Sequence, residues 1–131
     1  MSDVRIVVPL TPPGVNHYVK HTRSGRHYVT GEATAFKKTL ALCAIGKVAV
    51  GKQFAVEATV YMAAKQKGDV DGFGKLILDG LADAGVFYKV NRKMPYDTGN
   101  HLSDAHVTDL TLRKRRDADN PRTEIIVRAL P

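Results

Sequence analysis

Two carboxylates stand two residues apart where an apolar helical pattern begins. Residues 67–79 read KGDVDGFGKLILD, which places Asp69 and Asp71 directly before that pattern. In an extended segment, residues i and i+2 point to the same side, about 6.5–7 Å apart along the chain. Asp69 and Asp71 can therefore reach one Mg²⁺, or two ions about 3.5–4 Å apart. The spacing predicts a site for a hard cation.

The same spacing excludes two other motifs for phosphates or cations. A Walker A loop has four residues between its glycines and Ser or Thr after Gly-Lys. Here five residues lie between Gly68 and Gly74, and Leu76 follows Lys75. An EF-hand loop starting at Asp69 needs an oxygen ligand at its fifth position and Glu at its twelfth. Phe73 and Gly80 occupy those positions, so the stretch fits neither motif.

A purely structural role for these charges is the alternative. Asp71, Lys75, Asp79 and Asp83 recur every four residues, opposite an apolar helical face. In this interpretation Asp71 caps the helix, which contributes about 1 kcal/mol. Each charged pair that Lys75 forms contributes about 0.3–0.5 kcal/mol. Those terms explain Asp71 but give Asp69 no role.

A metal site needs a further ligand, and Asp104 is the best candidate. It lies in HLSDAHVTD, at the start of a predicted strand that would hold a short side chain rigidly. Asp109, within that strand, is interpreted as a solvent-facing charge. Because Mg²⁺ prefers oxygen ligands, His101 and His106 are interpreted as surface or phosphate-contacting groups.

The overall charge favours an anionic partner. The chain has 20 Lys and Arg against 13 Asp and Glu, a net charge of +7, and a pI near 9.7. Such an excess suits a polyanion such as nucleic acid. The candidate phosphate contacts are an arm with Lys20, Arg23 and Arg26, and a run of Arg113, Lys114, Arg115 and Arg116.

Composition also restricts the compartment. A hydrophobic fraction of 44% with 25% charged residues is typical of an ordinary globular protein. The apolar runs are too short to span a bilayer, and the N-terminus lacks the pattern of a secretory signal. Cys43 is the one cysteine, so no intramolecular disulfide can form. We expect a cytoplasmic protein without membrane contact.

The periodicities predict the elements that must position these residues. They indicate strands at 4–10, 54–63, 105–114 and 123–129, helices at 31–47 and 71–84, a ribbon turning at residues 24–25, and an exposed loop at 89–101. Gly85 follows the second helix as its C′ residue. The order predicts an α+β fold, a two-layer sandwich with two helices packed on a mixed β-sheet. We expect a single domain over residues 1–131.

Several motifs together resemble the RusA family of Holliday junction resolvases. The acidic motifs are DVDGFGKLILDGL, followed by AG, and then LSDAHV. The opening LTPPGVNHYVKH and the following HYVTGEATAFKK are similar to the start of that family. The resemblance covers nearly the whole chain.

The resemblance implies a crossover junction endodeoxyribonuclease of DNA recombination and repair. Such an enzyme is a small homodimer, often encoded by phages or prophages, that cuts four-way DNA junctions with Mg²⁺ by paired symmetric nicks. It uses no small-molecule cofactor and is nucleoid-associated when bound to DNA. The metal-binding aspartates of the family carry over to Asp69, Asp71 and Asp104, and its functionally important lysine to Lys75, which also contacts DNA.

Two departures from the family pattern leave an alternative open. Gly72 stands where the family usually has Asn, and Ser103 where it commonly has Asp. Residues 89–101 look like an insertion that alters junction preference if it folds over the site, or becomes ordered on DNA if it is disordered. The alternative is a non-catalytic junction-binding or nucleic-acid-binding module derived from a resolvase. A third interpretation, a basic scaffold that docks an acidic protein, predicts no salt-sensitive affinity for DNA.

Overall fold

The computed structural model describes residues 3–13, 19–21, 27–29, 31–64, 70–89 and 100–131, of which residues 19–21, 27–29 and 71 are described by their backbone alone. The strands are β1 Val4–Val8, β2 Val19–His21, β3 His27–Val29, β4 Ala49–Val50, β5 Phe54–Met62, β6 Phe87–Lys89, β7 Asn100–His101, β8 Val107–Arg116 and β9 Arg122–Ala129. The helices are α1 Gly31–Cys43 and α2 Gly74–Asp83, and two short 3-10 helices, called here the 70–73 turn and the 104–106 turn, span Val70–Phe73 and Asp104–His106.

The main sheet is mixed, with the strand order β1-β9-β5-β8. The central strand β5 pairs antiparallel with β9 and parallel with β8, while β1 pairs antiparallel with β9. Every second residue of β5 is buried, as its strict sequence alternation predicts. The predicted α+β class, two helices on a mixed sheet, is confirmed.

Both helices pack against one face of this sheet and against each other. The core combines the buried side chains of β5 with Phe36 and Leu40 of α1 and with Leu76 and Leu81 of α2. A Cβ on Gly80 would lie only 3.1 Å from Leu40 Cδ1, so glycine permits this close approach of the helices. Each fully buried Leu or Phe contributes about 1.5–3 kcal/mol, which makes this layer the main source of stability.

The second helix begins later than its sequence pattern predicts. Residues Val70–Phe73 form a 3-10 helix, α2 starts at Gly74, and Phe73 is the N-cap residue without a side-chain cap bond. Asp71 is therefore not the helix cap, and that interpretation is wrong. Phe73 is only 1% exposed, so its insertion into the core sets the path of the backbone here.

A glycine in a left-handed conformation follows each helix. Gly85 has φ +75° just after the C-cap Ala84, which confirms its predicted place at C′. The first helix was expected to reach residue 47 but ends at Cys43, and Gly46 with φ +75° turns the chain. Ala49–Val50 then form β4.

A second, smaller sheet has the order β4-β6-β7. Strand β4 pairs parallel with β6, and β6 pairs antiparallel with β7. The predicted loop at 89–101 is therefore wrong at its ends, where Lys89 and Asn100–His101 are strand residues. Residues 90–99 lie outside the described residues. No helix in the ranges given above combines the length and apolar character needed to cross a membrane.

Candidate metal and nucleic-acid site

The start of α2 lies against the edge strand β8. The 70–73 turn packs on this strand, and a Cβ on Gly74 would meet Leu112 Cδ1 at 3.1 Å and Leu110 Cδ2 at 3.4 Å. Glycine at this position lets the backbone that carries Asp71 approach the sheet closely. The Asp71 side chain and the whole of Asp69 lie outside the described residues.

One half of the basic run on β8 shares this side of the sheet. Leu110, Leu112, Lys114 and Arg116 pair with buried residues of β5, and they therefore point to the face that the helices cover. Arg116 also donates from Nη1 to the carbonyls of Ala63, at 2.7 Å, and Ala64, at 2.9 Å. Lys114 and Arg116 thus lie on the same side as the 70–73 turn.

The other half of the run points to the opposite, open face. Arg113 forms an ion pair with Glu57, and the second Glu57 oxygen lies 3.3 Å from Arg128 Nη1. Arg115 is exposed and donates to the Lys114 carbonyl at 2.9 Å. The four basic residues therefore do not form one continuous patch, and a carboxylate already neutralises the charge of Arg113. Of the predicted arm, the Lys20 side chain, Arg23 and Arg26 lie outside the described residues.

The ion pairs of this open face shift the titration of its carboxyls. The hydrogen bond and charge of Arg113 hold the pKa of Glu57 below its ordinary value, and Arg128 acts in the same direction. The hydrogen bond from Arg122 lowers the pKa of Asp117 in the same way. Both carboxylates are therefore more stable as anions in the folded chain than in the unfolded one.

Glu57→Gln is expected to lower the free energy of unfolding near neutral pH and to weaken its dependence on acid pH. The stabilisation from a carboxyl with a depressed pKa is complete above the ordinary value of about 4.3 and is lost as the pH falls through the folded value. Urea unfolding at about pH 7 and about pH 3 measures both effects. The depressed pKa of Asp117 makes stability depend on pH in the same acid range, so Glu57→Gln should retain part of the pH dependence of the unfolding free energy.

The control for this variant is Asp109→Asn. Asp109 is exposed on the same face of β8 and has no ion pair with another described residue. The Asp109→Asn variant should therefore lose as much stability at acid pH as the natural chain does. An unchanged dependence in Glu57→Gln would contradict the role given to the Arg113 pair.

Lys75 occupies the first turn of α2 with its side chain 67% exposed. Its Nζ lies 3.5 Å from Asp79 Oδ2, in an i, i+4 pair. An exposed pair of this kind contributes only about 0.3–0.5 kcal/mol, so the ammonium can leave it at little cost. Lys75 is therefore available for an anion bound near the 70–73 turn.

Asp104 lies in the 104–106 turn, directly before β8. Ser103 Oγ accepts a hydrogen bond from the Ala105 amide at 3.3 Å and caps this turn, so the residue that departs from the family pattern has a local structural role. The Asp104 side chain is half-buried. It forms no ion pair or side-chain hydrogen bond with another residue that the structure describes.

This lack of a partner distinguishes Asp104 from comparable groups. Within the described ranges, the other half-buried carboxylates all have cationic partners, namely Glu57, Asp79, Asp117 and Glu124. No side-chain oxygen or nitrogen among the described residues is both buried and without a hydrogen bond, so the Asp104 oxygens reach solvent and are accessible to an ion. An anion in this state is a suitable ligand for a metal ion, and Mg²⁺ is usually held by one or two such groups.

Both turns that carry the acidic motifs contact α2, since the 70–73 turn leads into the helix and the 104–106 turn packs against it. The helix starts against Leu110 and Leu112, and just beyond its end the Gly85 carbonyl is 3.1 Å from His101 Nδ1. Asp71 precedes the helix, and Asp104 follows His101 by three residues. No group of three or more potential metal ligands occurs among the described side chains, which do not include those of Asp69 and Asp71.

A cavity of about 630 Å³ lies beside the 104–106 turn and was not predicted. Its polar lining includes Lys52, Gln53, Lys89, His106 and Thr108. Its apolar lining includes Val50, Leu102 and Leu130. No sequence pattern indicates it, because its walls come from the β4–β5 connection, β6, the start of β8 and the end of β9.

Comparison with known proteins gave no match to any family model and none to any curated protein. The resemblance to resolvases therefore depends on the motifs quoted above, and the site on the residues just described.

Proposed function

We propose that this protein is a Mg²⁺-dependent endodeoxyribonuclease of the RusA type, which resolves four-way DNA junctions by paired symmetric nicks. The observation that carries the proposal is the half-buried Asp104 carboxylate without a partner among the described residues. It occurs in a basic chain in which the Asp-x-Asp motif precedes it in the order typical of that family.

Asp69, Asp71 and Asp104 are the residues that would hold the ion, because Mg²⁺ prefers carboxylate oxygens. When bound, Mg²⁺ would activate water and stabilise charge on the phosphate and the leaving oxygen. Lys75 holds a non-bridging phosphate oxygen near the first turn of α2 and stabilises charge that develops on it. Lys114 and Arg116 bind the adjacent DNA backbone.

The symmetry of the substrate leads us to propose that the protein acts as a homodimer. A four-way junction has approximate two-fold symmetry, and a homodimer with one site per subunit cuts two strands at equivalent positions. We place the protein in the cytoplasm, on DNA when bound, and consider a phage or prophage origin consistent with its motifs.

The first test is cleavage of a labelled synthetic four-way junction beside a linear duplex of the same sequence. With Mg²⁺ we expect paired nicks in the junction alone, and with EDTA no nicks. Backbone contacts also predict binding that weakens steeply as salt rises. Gel electrophoresis under denaturing conditions reads the cuts, and native gels without metal read the binding.

Each other outcome selects a different interpretation. Tight junction binding without cutting would contradict the nuclease proposal and favour the non-catalytic binding module. Equal cutting of duplex and junction would contradict selectivity for branched DNA. Absence of salt-sensitive DNA binding would favour the basic scaffold that docks an acidic protein.

A further inference from the structure

The cavity beside the 104–106 turn has walls that the backbone holds in place. The Gly51 amide donates to Tyr88 O at 2.9 Å, and the Leu102 amide donates to Phe87 O at 2.9 Å. The Leu130 amide donates to Gln53 O at 2.8 Å, which fixes the end of β9 to the start of β5. The first two bonds extend the pairing within the small sheet, and the third extends the pairing within the main sheet, so strand pairing holds the walls on both sides of the cavity. It is therefore a preformed site rather than a gap between mobile segments.

The lining divides into an apolar part and a cationic part. Val50, Leu102 and Leu130 supply aliphatic surface, while Lys52 and Lys89 supply positive charge. Gln53, His106 and Thr108 add groups that can donate or accept hydrogen bonds. Lys52 and Gln53 are exposed residues of the β4–β5 connection, so their side chains are accessible from solvent.

We infer that this cavity binds one unstacked nucleotide of the DNA substrate. A nucleotide has the same division as the lining: a base with apolar faces and a polar edge, and a phosphate with negative charge. The volume of about 630 Å³ lies within the range of about 300–1,000 Å³ usual for small-molecule sites. A phosphate alone would not use the aliphatic surface, and a purely apolar ligand would leave the lysines unpaired.

The position of the cavity relates it to the proposed reaction, and the inference rests on that proposed function. Ala105 and His106 line the cavity and directly follow Asp104. A nucleotide held there lies beside a candidate metal ligand. Extruding a base costs a few kcal/mol in a duplex and least where pairing is already disturbed, so a branch point is a favourable source. Gln53, His106 and Thr108 then become the residues that select the base.

Fluorescence of 2-aminopurine tests the inference without any cleavage. The probe is a single-stranded DNA trinucleotide with 2-aminopurine at its centre, titrated with protein in EDTA. We expect saturable binding with a changed fluorescence, and about 10-fold weaker binding in the double variant Lys52→Ala/Gln53→Ala. Lys38→Ala is the matched control, because Lys38 is an exposed lysine of α1 that does not line the cavity.

A second arm places 2-aminopurine next to the branch of a four-way junction. Its fluorescence should rise on binding the natural chain and rise less on binding the Lys52→Ala/Gln53→Ala variant. Equal trinucleotide affinity in this variant and in Lys38→Ala would overturn the inference. Because both arms omit metal, loss of cutting with intact nucleotide binding would overturn the nuclease proposal alone, and the reverse result would overturn the cavity assignment alone.

Discussion

Asp104→Asn is expected to reduce Mg²⁺-dependent cleavage of a four-way junction by at least about 100-fold. The substitution keeps the size and half-buried place of the side chain but removes the charge that holds a divalent cation. Loss of groups that merely orient metal ligands typically costs about 10–100-fold, and loss of a ligand should cost at least as much. Junction binding without metal should change little, because phosphate contacts come from lysines and arginines.

Asp109→Asn is the matched control for this experiment. It makes the same chemical change five residues later, on an exposed strand position that points to the open face. Its cleavage rate should stay within about twofold of the natural chain, since exposed substitutions away from a site have small effects. Asp71→Asn, run in parallel, should match the loss in Asp104→Asn.

A readout independent of cutting separates metal binding from other causes. A ligand that binds only the folded state raises its stability, so saturating Mg²⁺ should raise the midpoint of thermal unfolding in the natural chain. Asp104→Asn should abolish this shift, and Asp109→Asn should retain it. Full cleavage by Asp104→Asn, or an equal Mg²⁺ shift in both variants, would show that Asp104 does not bind the metal.

Much of the main sheet could be predicted because its signals are local. Strand β5 alternates along its whole length, and a period of two fixes which side chains reach the core. Gly85 could be placed because only a residue tolerant of positive φ ends a helix in this way. The division of Arg113–Arg116 between two faces follows from the same alternation, once the residues are assigned to a strand.

The small sheet and the cavity could not be predicted, because both depend on contacts between distant segments. Strands β4, β6 and β7 have two or three residues each, too few to show a period. Their pairing depends on bonds such as Ala49 N to Val86 O at 2.8 Å. The late start of α2 could not be predicted either. A helical wheel places Phe73 on the apolar face whether the helix begins at residue 71 or at residue 74, so the pattern does not distinguish the two starts.

The lack of a cationic partner for Asp104 among the described residues is another feature that could not be predicted from the sequence. Sequence spacing identified the residue, but the lack of a cationic partner is a property of how 31–64, 70–89 and 100–131 fold together. In a chain with 20 lysines and arginines, a partner would be easy to supply. Its absence among the described residues therefore favours a function over a purely structural role.

Phe73→Ala is expected to lower the free energy of unfolding by about 3–5 kcal/mol, the usual cost of removing a buried phenylalanine side chain. Phe73 is 1% exposed and is flanked by Gly72 and Gly74, so it is the side chain that fixes the 70–73 turn to the core. Natural domains have only about 5–15 kcal/mol of stability, and the loss is therefore a large fraction of the total. Urea unfolding, monitored by circular dichroism, measures it.

The control is Leu42→Ala, which removes a side chain that is 68% exposed on α1 and should change stability by no more than about 0.5 kcal/mol. Phe73→Leu keeps an apolar anchor and should cost less than Phe73→Ala. At a temperature where all three variants are folded, Phe73→Ala should also lose cleavage, because the turn that carries Asp71 loses its fixed position. A stability change below about 1 kcal/mol in Phe73→Ala would contradict the role given to this ring. Contacts other than the burial of Phe73 would then hold the 70–73 turn and position the Asp-x-Asp motif.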